Sequence, residues 1–350
     1  MRLLHEQSVV ITGASSGIGR RTAIEFAKRG ARVTLAARND SALKEVASEI
    51  RRDGGKAHVV VTDVAEWSQV ERLAEAAAAH YGRIDTWVNN AGVSVYAHFD
   101  DLLVEEIDRI IRVDLLGPIY GAKAALPYMR KQREGTIINV ASELGVRGAP
   151  LQSIYCAAKH GVKGFTEALR LELDHENSGV RTTLILPGAT NTPFFEHSRS
   201  KLGAKASPPG VVYEPEAVAE AIVFAAEHPR RDIFVGVSAK SYDWLQRLSP
   251  AMADQMSLMA GASIEHQKAG RPDNGRDTLF EPWTGQGAER GDYPGRTSSW
   301  YTKVFEHHPA LKVAALGAVA GTFAAGLLGL ARRNSNGHGH ENGNGWRLPR

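Results

Sequence analysis

The chain has 350 residues, of which 43% are hydrophobic and 23% charged, so it can bury a full core in one large domain or two modest ones. The net charge of +3 gives no argument for a nucleic-acid partner, which would call for a clustered basic face. The one cysteine, Cys156, excludes an internal disulfide and fits a reducing compartment.

The N-terminal residues are charged and polar where a signal peptide needs an apolar stretch, so we expect a cytosolic protein. Ser8 to Thr12 is a short Val/Ile run typical of a buried strand, and helical spacing follows from Gly17 to Arg29. Glycines between a strand and a helix let the backbone approach a pyrophosphate, and the helix N-terminus supplies free N–H groups. The turn therefore predicts a dinucleotide site that includes Gly13, Ser15, Ser16, Gly17, Ile18 and Gly19.

The next apolar run, Arg32 to Ala37, ends at Arg38, where the residue that selects the cofactor would stand. An acidic side chain there would bind the ribose 2′-hydroxyl of NAD, whereas arginine suits a 2′-phosphate. We therefore predict NADP(H) as the cofactor, with NAD(H) as the alternative if Asp40 does the selecting. Asp40 or Ser41 is expected instead to cap the helix that runs to Arg52.

Strands and helices go on alternating to about residue 237, and this rhythm predicts a parallel sheet covered by helices on both faces. A third strand, Lys56 to Thr62, is followed by Asp63 and Val64, where an adenine edge would lie. A fourth, Arg83 to Val88, runs into small and amide residues that leave room for a ribose and also serve the loop structure. Those predicted to bind the cofactor are Asn90, Ala91 and Gly92.

Tyr155 and Lys159 are four residues apart in a predicted helix, so both project from one face. A phenol has a pKa of about 10 and is a poor base at neutral pH, but a cation within roughly 4 to 6 Å favours the phenolate and lowers that pKa. Ser142 follows a predicted strand and is placed to share a substrate oxygen with Tyr155. A Tyr-x-x-x-Lys pair alone occurs on many surface helices. It indicates a catalytic site here because the glycine turn comes before it in the chain.

In order and spacing, these motifs resemble the short-chain dehydrogenase/reductase family over about residues 5–240. The motifs are Thr12-Gly13-x-x-x-Gly17-x-Gly19, Asp63, Asn89-Asn90-Ala91-Gly92, Ser142, Tyr155-x-x-x-Lys159 and Pro187-Gly188. The resemblance implies one α/β Rossmann domain, with a doubly wound, seven-stranded parallel sheet, and assembly into dimers or tetramers. It implies that Tyr155 is the acid/base, that Lys159 binds the nicotinamide ribose and tunes Tyr155, and that Ser142 orients the substrate oxygen. It also implies that Pro187, Gly188 and Thr192 lie along the nicotinamide.

One position departs from the family pattern. Members usually carry asparagine in a run like Val-Asn-x-x-Gly, where it helps to hold a water in the proton relay, and this chain has Asp114 there. An ionised aspartate only accepts hydrogen bonds, and its buried charge would oppose the lowering of the Tyr155 pKa. We place Asp114 at the catalytic site, either protonated or with a carboxylate oxygen in place of the amide oxygen.

The composition changes after about Leu248. We predict a catalytic domain over 1–248 and an irregular extension that begins with an extended linker over 249–309, rich in glycine, proline and charge. An apolar helix is predicted over 310–333, and its uncharged run from Val313 to Ala331 is near the length that spans a bilayer core. Membrane attachment and packing on a partner subunit are the alternatives for this helix. The rest, 334–350, is predicted to be a disordered tail without a metal site.

The sequence thus predicts an NADP(H)-dependent oxidoreductase that interconverts a secondary alcohol and a ketone or aldehyde, with Ser142, Tyr155 and Lys159 at its catalytic site. A small apolar substrate is expected in a pocket lined by Val95, Tyr96, Leu144, Val146, Phe194 and Phe195. The alternative is a non-catalytic NADP-binding scaffold that acts through its C-terminal tail, with Asp114 as a sign of lost chemistry. Cofactor binding without turnover on a broad panel of carbonyls would favour the scaffold.

Overall fold

A computed structural model describes residues 2–208, 210–259, 268–285, 287–308 and 311. The chain divides into two compact units, Met1–Thr302 and Lys303–Arg350, and of the second only residues 303–308 and 311 are described. The run from Val313 to Ala331 and the tail after it lie outside the described residues. Within the part of the chain that is described, no helix is long and apolar enough to cross a membrane.

Seven parallel strands form the central sheet, as the sequence predicts. The strands of the described residues are, in chain order, β1 (Ser8–Thr12), β2 (Arg32–Ala37), β3 (Lys56–Val61), β4 (Thr86–Asn89), β5 (Val95–Tyr96), β6 (Gly135–Val140), β7 (Val180–Pro187), β8 (Arg199–Ser200), β9 (Ala204–Ala206), β10 (Asp232–Val235) and β11 (Lys268–Pro272). The large sheet has the order β10-β7-β6-β4-β1-β2-β3, so the strand order reverses between β1 and β4. In doubly wound sheets, ligands bind at the carboxyl ends of the strands beside this switch point.

Helices cover both faces of the sheet, which explains why its central strands are buried on both sides. They are α1 (Gly17–Lys28), α2 (Asp40–Arg52), α3 (Trp67–Tyr81), α4 (Val104–Ile111), α5 (Gly117–Gln132), α6 (Ser153–His175), α7 (Phe194–His197), α8 (Pro215–Glu227), α9 (Val237–Leu248) and α10 (Pro250–Met259). Apolar residues of α1, α2 and α8 fill one core, and those of α3, α4, α5 and α6 fill the other.

The cap of α2 differs from the prediction. Asn39, and not Asp40 or Ser41, accepts a hydrogen bond from the backbone N–H of Ala42 at 3.0 Å. The reason is that the helix already begins at Asp40, so the cap is the residue before it.

A π-helical turn, Arg112–Leu116, joins α4 to α5. Such a turn inserts one extra residue into a helix and is frequent at functional sites. Here it carries Asp114, whose side chain is fully buried. The π-helical turn therefore determines where this unusual carboxyl group lies.

Beyond β11, which pairs with β9, the chain runs back across the carboxyl ends of the large sheet. We call residues 277–285 and 287–293 the strap. The strap belongs to the first compact unit, together with the sheet. The sequence predicts only an extended linker over 249–309, and the composition of that stretch gives no sign of these contacts.

Candidate active site

The glycine turn between β1 and α1 has a backbone that other residues adopt poorly. Gly13 has a φ of 70° and Gly17 a φ of 54°, in the left-handed region that favours glycine. A Cβ at Gly19 would overlap the carbonyl oxygen of Gly13, so the third glycine lets α1 pack closely on the turn. The turn thus directs the N-terminus of α1 towards the switch point of the sheet.

Thr12 ties the ends of β1 and β4 together. Its hydroxyl accepts hydrogen bonds from the backbone N–H groups of Asn90 at 3.0 Å and Ala91 at 3.2 Å. The Asn90 amide in turn donates to the carbonyl oxygen of Thr12 at 3.0 Å. Asn90 therefore supports the backbone of the site, which is the structural role that the sequence leaves open for it.

One cavity of about 290 Å³ runs along the strand ends, near the lower limit of ligand pockets, roughly 300 Å³. Of the predicted site residues, Gly19 and Asp114 do not line it. Gly19 packs α1 on the turn, and Asp114 lies behind Lys159. The predicted residues that line the cavity are Gly13, Ser15, Ser16, Gly17, Ile18, Arg38, Asp63, Val64, Asn90, Ala91, Gly92, Ser142, Tyr155, Lys159, Pro187, Gly188 and Thr192.

Ser142, Tyr155 and Lys159 lie together at one end of the cavity. Ser142 follows β6, and the other two residues stand one turn apart on α6. The Lys159 ammonium is 5.3 Å from the centroid of the Tyr155 ring, and Ser142 is near enough to the phenol to lower its pKa. The three side chains can thus contact one substrate oxygen and its surroundings.

Asp114 forms a buried ion pair with Lys159. Its Oδ2 is 3.2 Å from the Lys159 Nζ, and its Oδ1 accepts a hydrogen bond from the backbone N–H of Val93 at 2.8 Å. Burial raises the pKa of the Asp114 carboxyl, while the charge of Lys159 opposes that rise. The pair holds the lysine in place in the cavity wall.

The surroundings raise the pKa of Tyr155 well above its usual value. Burial is the main cause and the charge of Asp114 the next, while Ser142 acts in the opposite direction. The ammonium of Lys159, whose charge would lower this pKa, is paired with Asp114. The sequence predicts a buried negative charge near Tyr155 and Lys159, and the structure adds its ion pair with Lys159.

Two arginines, Arg38 and Arg109, lie at the other end of the cavity. Arg38 follows β2, and Arg109, on α4, lies near it and forms an ion pair with Asp63 at 2.8 Å. Burial and the charge of Arg109 lower the pKa of Arg38, although Asp63 acts in the opposite direction. Arg109 belongs to no sequence motif, so nothing in the sequence pointed to it.

The strap forms part of the cavity wall near these arginines. Arg38 donates to the carbonyl oxygens of Thr278 and Phe280, the latter at 2.6 Å. The Asn39 amide donates to the carbonyl oxygen of Trp283. The strap residues that line the cavity are Thr278, Pro282, Trp283 and Gly287, and the sequence analysis missed all of them.

The wall near Tyr155 is mainly apolar. The ring of Phe194 is 5.8 Å from that of Tyr155. Val95 and Val146 do not line the cavity as expected, because Val95 is part of a buried core and Val146 packs against another. The expected residues that do line it are Tyr96, Leu144, Phe194 and Phe195.

Two polar residues that the sequence analysis missed, Glu143 and Gln152, also line this wall. Burial raises the pKa of Glu143 to about 7, so this carboxyl group carries less than a full charge near neutral pH. The pocket around Tyr155 is therefore less polar than its residue types alone suggest.

A glycine turn at the switch point of a doubly wound sheet, with serine, tyrosine and lysine around one cavity, is the arrangement of a Rossmann-fold oxidoreductase. The sequence profile described as short chain dehydrogenase matches residues 7–203. This chain belongs to the short-chain dehydrogenase/reductase family.

Among its relatives is the Bacillus subtilis protein named uncharacterized oxidoreductase YxnA, 44% identical over 309 residues, which are 87% of this chain and 86% of that protein. A solved metagenomic short-chain oxidoreductase in complex with NADP is 29% identical, with a TM-score of 0.56, over 66% of this chain and 96% of that one. A family member from Burkholderia phymatum in complex with NAD is 26% identical, with a TM-score of 0.66, over 72% of this chain and 96% of that one.

These alignments differ in how much of the C-terminal extension they include. An alignment over 87% of 350 residues has to include residues 277–293, wherever it begins. The two solved structures match nearly their whole length and still leave more than a quarter of this chain without a counterpart. The strap region therefore has a counterpart in YxnA.

Proposed function

We propose that this protein is an NADP(H)-dependent oxidoreductase that interconverts a secondary alcohol and a ketone or aldehyde. The observation that carries the proposal is one cavity with Arg38 and Arg109 near one end and Ser142, Tyr155 and Lys159 at the other. The residues around this cavity suit a nicotinamide dinucleotide, because its phosphates would meet the glycine turn and the N-terminus of α1 once the strap has shifted. The NADP and NAD complexes of the two solved relatives support the same class of cofactor.

The nicotinamide, when bound, supplies or accepts the hydride. Tyr155 then gives a proton to the substrate oxygen or takes one from it, and the Ser142 hydroxyl stabilises the charge that develops there. Lys159 is held by Asp114 and by the carbonyl oxygen of Val140, 3.5 Å from its Nζ, and would bind the ribose. The relatives' name of oxidoreductase supports this function over a non-catalytic scaffold.

The apolar wall around Tyr155 supports an apolar carbonyl or alcohol as the substrate. Phe194 and Phe195 stand edge to face, with ring centroids 5.7 Å apart, and both line the cavity. The test is NADPH consumption on a panel of ketones and aldehydes graded by size and charge. We expect the highest kcat/KM for apolar members, and a preference for small, highly charged carbonyls would contradict this substrate class.

Asp114→Asn should shift the pH dependence of activity to lower pH. The Asp114 charge raises the pKa of Tyr155, so its removal lowers that pKa and frees the charge of Lys159 to act in the same direction. For alcohol oxidation, where Tyr155 acts as a base, the rising limb should move to lower pH. For carbonyl reduction, where it acts as an acid, the falling limb should move the same way. Unchanged pH–rate profiles in both directions would exclude this coupling.

Arg38→Asp should reverse the preference for NADPH over NADH. Loss of charged hydrogen bonds to a 2′-phosphate is expected to lower kcat/KM for NADPH about 10- to 100-fold, while that for NADH is kept or rises. Arg52→Asp is the matched control, since Arg52 is an exposed arginine at the end of α2. Equal losses with both cofactors would show that Arg38 does not select between them.

A further inference from the structure

The strap is fastened at its first end to the loop that follows β7. Asp277 accepts a hydrogen bond from the Arg199 Nε at 2.8 Å. The backbone N–H of Thr278 donates to the carbonyl oxygen of His197 at 2.9 Å. Hydrogen bonds therefore join this end of the strap to the segment that carries Phe194 and Phe195.

The second end is fastened to the same loop and to the start of α8. The backbone N–H of Tyr293 donates to the Asn191 Oδ1 at 3.0 Å. The Arg290 Nε donates at 2.9 Å to Glu214, a residue that is 5% exposed. Contacts at both ends hold the strap across the cleft rather than at its edge.

Between these ends the strap lies directly on the glycine turn. The backbone N–H of Gly17 donates to the carbonyl oxygen of Ala288 at 2.9 Å, and Arg20 donates to that of Gly287. A Cβ at Gly287 would overlap the carbonyl oxygen of Ser15, so only glycine allows this approach. The strap thus bonds to the N-terminus of the helix where phosphate binding is proposed.

Trp283 joins the two sides of the cleft. Its ring is stacked on that of His197, with centroids 4.9 Å apart and planes 28° from parallel. Burial and the charge of Lys205 lower the pKa of His197 to about 4, so the imidazole is neutral when it stacks. The Trp283 carbonyl oxygen accepts from Asn39 on the opposite side.

The strap and a dinucleotide need the same donors. The Gly17 N–H and the Arg38 guanidinium are groups of the kind that bind phosphate, and both donate to strap carbonyl oxygens. A phosphate that takes the Gly17 N–H has to displace the Ala288 carbonyl oxygen, and charge-assisted bonds of this type are the stronger ones. Binding at this turn therefore requires the strap backbone to shift.

We infer that the strap gates entry to the cofactor site, so that a nicotinamide dinucleotide binds only when residues 277–285 and 287–293 move away from the glycine turn and Arg38. The inference rests on the proposed cofactor. Because the strap and the dinucleotide compete for the same donors, loosening the strap should raise the association rate constant and leave the dissociation rate constant nearly unchanged. If the strap only added contacts to the bound dinucleotide, it would slow dissociation alone, and loosening it would raise only the dissociation rate constant.

The test measures both rate constants by stopped-flow fluorescence, on the full chain, with NADPH and NADH in parallel. Gly287→Ala removes the close approach of the strap to Ser15, and Trp283→Ala removes the stack on His197. Gly270→Ala is the matched control, because a Cβ at this glycine of β11 meets nothing within 4 Å. Trp283→Ala leaves the backbone of the strap unchanged, so it provides the test if Gly287→Ala does not fold.

For Gly287→Ala and Trp283→Ala, we expect the association rate constant to rise about tenfold, the effect of losing one or two hydrogen bonds or ring contacts, and the dissociation rate constant to change little. The control should match the wild type. Unchanged rate constants, or a rise in dissociation alone, would overturn the gate and leave the proposed function intact. Failure of the wild type to bind either dinucleotide would overturn both.

Discussion

Tyr155→Phe is expected to lower kcat about 10²- to 10⁴-fold, the usual contribution of a positioned acid or base. The phenylalanine keeps the ring that packs beside Phe194, and it loses only the hydroxyl that lies near Ser142. Cofactor affinity should therefore stay close to that of the wild type. Steady-state kinetics measure kcat, and a fluorescence titration with NADPH measures the affinity for the cofactor.

Tyr128→Phe is the control for this variant. Tyr128 is a partly buried tyrosine of α5 that packs on the core away from the cavity, so its hydroxyl should not affect kcat. If Tyr155→Phe turned over any substrate at nearly the wild-type rate, the acid/base role of Tyr155 would be wrong.

Lys159→Met is expected to lower the free energy of unfolding by about 3 to 5 kcal/mol at neutral pH, because it leaves the buried Asp114 carboxylate without its partner. It should also remove activity. Urea denaturation measures the stability. The loss should shrink as the pH falls, because burial raises the pKa of Asp114 and a protonated carboxyl carries no charge to compensate.

Lys163→Met tests whether the effect belongs to the buried pair. Lys163 stands one turn further along α6 and pairs with the partly exposed Glu167 at 2.9 Å. Its loss should change stability by less than about 1 kcal/mol. The double variant Asp114→Asn, Lys159→Met should recover much of the stability lost in Lys159→Met. Equal losses in the single and double variants would mean that the Asp114 charge is not the cause.

Most of the helices and strands could be predicted from the local pattern of apolar and polar residues in the sequence. The Val/Ile run of β1 and the apolar run of β2 gave element bounds that the structure reproduces to the residue. The proximity of Tyr155 and Lys159 was also predictable from the sequence, because two side chains four residues apart on one helix are neighbours. These features depend on residues close together in the chain.

Contacts between distant residues could not be predicted from local pattern, and only the family resemblance placed Asp114 at the catalytic site. Lys159 lies 45 positions from Asp114, and a π-helical turn brings the two charges together. The bonds from Arg38 to the strap span about 240 residues and end on backbone carbonyl oxygens, which any residue type can supply. A side-chain pattern therefore cannot reveal them.

The central claim is that hydride passes between the nicotinamide and a carbonyl carbon under the control of Tyr155. The direct measurement uses NADPH with deuterium at both C4 positions and mass spectrometry of the alcohol formed from a carbonyl that the protein reduces. We predict deuterium on the carbinol carbon with the wild type and almost no product with Tyr155→Phe. Alcohol that carries no deuterium while NADPH is consumed would contradict the claim.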